Sequence, residues 1–162
     1  MKGRIKAGEG TLVGNAGEHY VMAELLKRGV IAALTPRNAT AFDILATKNG
    51  KDVRLRVKTK SEDYDIWQWN AHKDGSIFRL LDKGRDFTIL VNLAAEIQKL
   101  HFYVVPTKML SSWLTSEHEL WLKTPGKDGR KHSDKNKKRH LDDKKHSTLI
   151  APYLNNWDSL WN

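Results

Sequence analysis

The sequence predicts an α/β domain in which helices flank a mixed β-sheet. Three observations carry this prediction. An amphipathic helical stretch occupies residues 14–29, a series of strand-like segments follows between 30 and 106, and helical patterning returns after residue 106. Between the two most regular strand segments, 41–48 ("AFDILATK") and 51–60 ("KDVRLRVKTK"), stands Asn49-Gly50. That dipeptide is the strongest short-range signal for a hairpin closed by a two-residue type I′ turn.

Residues 1–13 read as a basic, glycine-containing lead-in with little to pack. In the helix that follows, Asn15 is placed to cap the N-terminus, Lys27 and Arg28 suit the negative end of the dipole, and Gly29 can close it. Val21, Met22, Leu25 and Leu26 form its apolar stripe. Glu18 falls inside that stripe, one turn before Val21. Glu24 lies off it and reads as solvated. Residues 30–35 ("VIAALT") read as a short buried strand ending before Pro36. Beyond the hairpin come a strand at 65–70 ("DIWQWN"), a polar connection at 71–85, and strands at 86–94 and 100–106. A helix carrying Met109, Leu110, Trp113 and Leu114 follows. After a basic insertion, a short C-terminal helix caps the core with Leu154, Trp157 and Trp161.

A chain of 162 residues with 40% hydrophobic and 29% charged content is read as one soluble domain, 1–162, able to bury a core without staples. No apolar run approaches the ~18 residues of a membrane span. Cysteine is absent, which excludes disulfides and thiol chemistry and suits a cytoplasmic protein. The net charge is +9, and residues 123–147 hold ten Lys/Arg against four Asp. This concentration favours a polyanionic partner, with Lys137, Lys138 and Arg139 as candidate phosphate contacts. The competing reading is a solvated, solubilising loop.

The hairpin places Arg54, Arg56, Lys58 and Lys60 on one strand face, and Leu55, Val57 and Thr59 on the other, because side chains alternate at period 2. If Asn49-Gly50 is the turn, Asp43 lies opposite Arg56, with Lys58 as its diagonal neighbour. One reading is a cross-strand ion pair with the remaining charges solvated. The other is a phosphodiesterase site, in which a carboxylate holds a metal and a lysine manages the attacking water.

These residues resemble the PD-(D/E)XK nuclease superfamily, the restriction-endonuclease-like fold that includes Holliday-junction resolvases. The likeness covers about residues 14–106. It rests on Gly14, Gly17, Glu18, Val21, Leu25 and Gly29 in the first helix, on Pro36, on "FDI" with Asp43, and on the strand ending "VKTK" with Lys58. The resemblance implies a restriction-endonuclease-like mixed sheet and metal-dependent hydrolysis of DNA with Mg²⁺ or Mn²⁺. It assigns Glu18 as the helix-borne acid, Asp43 as the metal-binding acid and Lys58 as the catalytic lysine. Asp43 and Glu18 would be the metal ligands, and a homodimer would serve duplex cleavage.

One position departs from the pattern. The acid expected two residues before the lysine is Arg56, and a guanidinium cannot ligate a cation. Arg56 could turn onto the scissile phosphate, or Glu62 or Asp65 could replace the lost ligand. Otherwise the fold survives as a catalytically inactive nucleic-acid-binding protein. Arg54, Arg56 and Lys60 are the remaining candidate DNA contacts. Among other features, His132, His140 and His146 read as phosphate neighbours rather than a zinc site, given the absent cysteine. Trp67 and Trp69 read as core before base-stacking platforms, and Gln68 is close enough in sequence to reach the site. Ser111-Ser112 lacks a nucleophilic pattern, and no glycine-rich phosphate loop is present.

Overall fold

The computed structural model describes residues 9–36, 41–61, 65–79, 85–93 and 100–162. Its elements run α1 (Glu9–Lys27), β1 (Ile31–Leu34), β2 (Ile44–Lys48), β3 (Lys51–Ser61), β4 (Ile66–Asn70), β5 (Arg85–Leu93), β6 (His101–Pro106), α2 (Thr107–Lys123), β7 (Lys138–Asp142) and α3 (Ser147–Ile150). Two 3₁₀ turns, Ala151–Tyr153 and Trp157–Leu160, stand where one C-terminal helix was expected. A five-stranded sheet has the order β1-β2-β3-β5-β6, and β4 and β7 form a separate two-stranded ribbon.

Asn49 and Gly50 take φ values of 51° and 73°, and Lys48 pairs with Lys51 as the type I′ turn requires. The register continues to Ile44 opposite Leu55. β3 then pairs in parallel with β5, and β5 antiparallel with β6, so the sheet is mixed. Its two faces carry separate cores. Val53 and Leu55 of β3 join Val21 and Leu25 of α1 on one face, with Ile44, Ile89, Val91, Trp157 and Leu160. On the other, Leu90 and Val105 pack against Leu110 and Leu114 of α2, and against Trp67 and Leu141 of the ribbon. The sheet is thus covered on both sides.

Several boundaries differ from the sequence reading. α1 begins at Glu9, so Asn15 lies inside the helix rather than capping it. Gly29, at φ 68°, closes it as expected. Leu26 is exposed, which narrows the stripe to Val21, Leu25 and the half-buried Met22. The strand expected to be buried at 30–35 is an exposed edge: β1 is the outermost strand, and Ile31 is 74% exposed. Leu154 is likewise exposed.

The basic insertion at 123–147 is not wholly a solvated loop, because β7 lies within it, antiparallel to β4 with Trp67 opposite Leu141. Leu141 is fully buried. A charge run hides a strand whose one inward apolar residue is too little to reveal period 2.

Candidate active site on the cation face of β3

The four cations of β3 do share a face, and it is the face toward the ribbon rather than toward α1. Three of them find carboxylates. Asp86 pairs with Arg54 across the parallel register and accepts from both guanidiniums, with Arg56 Nη1 at 2.9 Å from its Oδ1. Arg56 Nη2 also donates to the Arg79 carbonyl at 2.7 Å, and its guanidinium lies over Phe78. Lys60 Nζ meets Asp143 Oδ2 at 2.6 Å and lies over Trp67. Arg56 and Lys60 are 8% and 5% exposed, so they are anchored in the interior and do not project as phosphate contacts. Asp86 and Asp143 are the anions that make a row of like charges tenable.

Lys58 differs from its neighbours. It makes no salt bridge among the described residues, and its Nζ lies 5.6 Å from the centre of the Trp69 ring. It faces the same pocket as Asp43, a cavity of about 410 Å³ whose wall also includes Arg56, Trp69, His72, Phe78 and Arg79. Burial pushes the Lys58 ammonium below the usual lysine range, and the nearby Asp43 carboxylate offsets part of that.

Asp43 sits one residue before β2 and is fixed by its own backbone. Its N–H donates to the Leu55 carbonyl at 2.8 Å, and its carbonyl accepts from Thr35 N–H at 2.9 Å. Its Oδ2 accepts from the Val57 N–H at 2.7 Å, while its other carboxylate oxygen takes no hydrogen bond among the described residues. Burial raises the Asp43 pKa. The Val57 N–H, then Arg56, then Lys58 work against that rise. A carboxylate and an amine, each partly desolvated, thus share one positively lined pocket, which suits a phosphodiester and the water that attacks it.

Glu18 occupies the first-helix position that the sequence assigned to an acid. It follows Gly17, where an added Cβ would fall 1.9 Å from Thr59 Oγ1. The helix therefore touches β3 one residue beyond Lys58, on the opposite sheet face, and Glu18 is half-buried there. Glu62 lies outside the described residues. Asp65 is on the ribbon side, 3.2 Å from Lys144 Nζ, and so does not stand in for the missing acid. Among the described residues, no three or more His, Asp or Glu side chains are grouped to hold a metal. Mg²⁺ needs less than such a cage. It commonly binds through one or two carboxylates, waters and the substrate's phosphates, and Asp43 with its second oxygen fits that mode.

The other candidates fall into place by contact. Trp67 is core, donating to the Val91 carbonyl, whereas Trp69 lines the pocket. Gln68 points away and bonds His140, so it does not reach the site. Lys137 and Lys138 are exposed beside the half-buried Arg139, which donates to the Asn136 and Lys138 carbonyls. His132 stacks on Trp121, and His146 packs at Glu117. Sequence reasoning missed Asp86. Its signal was a lone acid opening the apolar run "DFTILV", a position that a buried strand tolerates only with a cation beside it.

No family model matches the chain, and neither does any curated protein. Solved structures do. The bacterial homing endonuclease I-Ssp6803I superposes with a TM-score of 0.52 at 17% identity, over 93% of this chain and 89% of that one. A Holliday junction resolvase, Hjc of Archaeoglobus fulgidus, superposes with a TM-score of 0.52 at 13% identity, over 91% and 94%. The fold is therefore the restriction-endonuclease-like fold, as the first helix and the hairpin led one to expect.

Proposed function

We propose, with the restriction-endonuclease-like fold as premise, that this chain is an endonuclease hydrolysing DNA phosphodiester bonds at Asp43 and Lys58. The observation that carries the reading is the placement of those two side chains in one open pocket, while the other three cations of β3 are tied to Asp86 and Asp143. Asp43 would hold Mg²⁺ or Mn²⁺ brought in with the substrate, whereas Glu18, on α1 across the sheet, is not on the wall of this pocket. The ion supplies polarisation of the phosphate and a lower pKa for water. Lys58 Nζ orients the attacking water or takes its proton, a role helped by the lowered pKa. Water oxygen bonds to phosphorus, one P–O ester bond breaks, and the departing alkoxide is protonated by solvent. Because one pocket cuts one strand, duplex cleavage calls for two copies of the chain.

The test is nicking of plasmid and cleavage of branched DNA across Mg²⁺ and Mn²⁺ titrations. Lys58→Ala and Asp43→Ala should each abolish cleavage and leave DNA binding nearly intact. Cleavage that persists undiminished in Lys58→Ala refutes the assignment.

A second reading, a non-cleaving nucleic-acid binder on the same fold, draws on the buried Arg56–Asp86 pair at the position of the usual second acid. Arg56→Glu alone would set two carboxylates against each other, so the informative variant is Arg56→Glu with Asp86→Asn. Under this second reading the wild type does not cleave, and the double variant gains metal binding.

A further inference from the structure

Away from the Asp43 pocket, and sharing no wall residue with it, a cavity of about 500 Å³ opens between α2 and β7. Its apolar side is Leu114, the 57%-exposed Leu120 and Trp121. Trp121 is held in place by two imidazoles. His132 stacks on it at 3.9 Å and 11°, and His118 lies at 5.4 Å and 21°. The opposite side carries Lys138 and Arg139. The acids at this cavity are already engaged. Glu117 meets Lys145 Nζ and, at 3.3 Å, His146, and Asp142 Oδ1 accepts from the Lys144 and Lys145 N–H groups.

We propose that this cavity is a second nucleic-acid site, which takes an unpaired base of a single strand against Trp121 and His118, with the flanking phosphates on Lys138 and Arg139. The cavity is of ligand-pocket size, and an aromatic wall beside cations is what a single strand needs, since every base offers a π-face. Burial lowers the pKa of both His118 and His140, which favours the neutral ring over the charged one. The proposal rests on the reading of the chain as DNA-acting but not on cleavage.

The experiment is therefore binding alone, by fluorescence anisotropy in EDTA, with labelled oligo-dT and an abasic strand of equal length. Wild type should prefer the strand with bases. Trp121→Ala should lose about tenfold or more of affinity for oligo-dT while holding the abasic strand as before. His118→Ala should shift the same preference in the same direction, and it keeps the test decisive if Trp121→Ala does not fold. Lys138→Ala should weaken both strands alike. Equal binding of the two strands by wild type, or a preference unchanged in both aromatic-wall variants, overturns the proposal. Neither outcome bears on cleavage at Asp43 and Lys58, which fails or stands by the plasmid assay.

Discussion

Asp86 fixes two arginines at once, which makes it the residue on which the cation face depends. Its side chain is 4% exposed, and so it balances a buried charge rather than decorating a surface. Asp86→Ala leaves Arg56 buried without its anion and should cost about 3–5 kcal/mol in urea unfolding. Adding Arg56→Met should recover most of that loss, because the orphaned charge is gone. Lys58 gives a pH signature. Its folded pKa is lowered, so the cost of burying the ammonium is fully present below that pKa and disappears as pH rises toward 10.5. Relative to Lys58→Met, wild type should therefore gain stability between its lowered pKa and 10.5, read as a converging urea midpoint at neutral and alkaline pH. The sequence disclosed Lys58 and Asp43 because a two-residue turn fixes their register locally. It concealed the partners of Arg56 and Lys60, which lie 30 and 83 residues away along the chain.

At the scale of elements, α1 approaches β3 through Gly17, and an added Cβ would fall 1.9 Å from Thr59 Oγ1 and 2.9 Å from its Cβ. Gly17→Ala improves helix propensity by about 1 kcal/mol, yet the overlap forces a shift that costs about 1–3 kcal/mol. The melting temperature should fall, and Thr59→Ala should restore only part of it, since the Cβ of residue 59 remains close. Residues 126–146 cannot be removed as a loop, for they supply β7, the buried Leu141 and the Asp143 that meets Lys60. Their deletion should abolish cooperative unfolding by circular dichroism. β2 and β3 were legible because their alternation is regular and their turn is local. β1 was legible as a strand but not as an exposed edge, since the short apolar run "VIAALT" looks the same whether it is central or outermost.

For the whole molecule, the sequence offered a polyanion two groups of cations, those of β3 and those of 123–147. Arg54, Arg56 and Lys60 are spent within the fold, which leaves exposed lysines such as Lys137 and Lys138. Lys137→Gln and Lys138→Gln should each reduce the slope of log affinity against log salt on duplex DNA by about 0.9. An unchanged slope would mean that those lysines do not touch phosphate.

The ribbon also sets an order of assembly. The β2–β3 turn closes over two residues, an event of about microseconds, whereas Gln68 and His140 join β4 to β7 from 72 residues apart. Closing so long a loop must wait until β5, β6 and α2 have brought its ends together. During refolding, the Asp43 amide should therefore gain protection from hydrogen exchange before that of Ala71, which bonds the Lys137 carbonyl. The same order holds on the ribosome. Until Asp143 emerges, Lys60 lacks that carboxylate, and a nascent chain presents its most basic strand to whatever polyanion lies nearby.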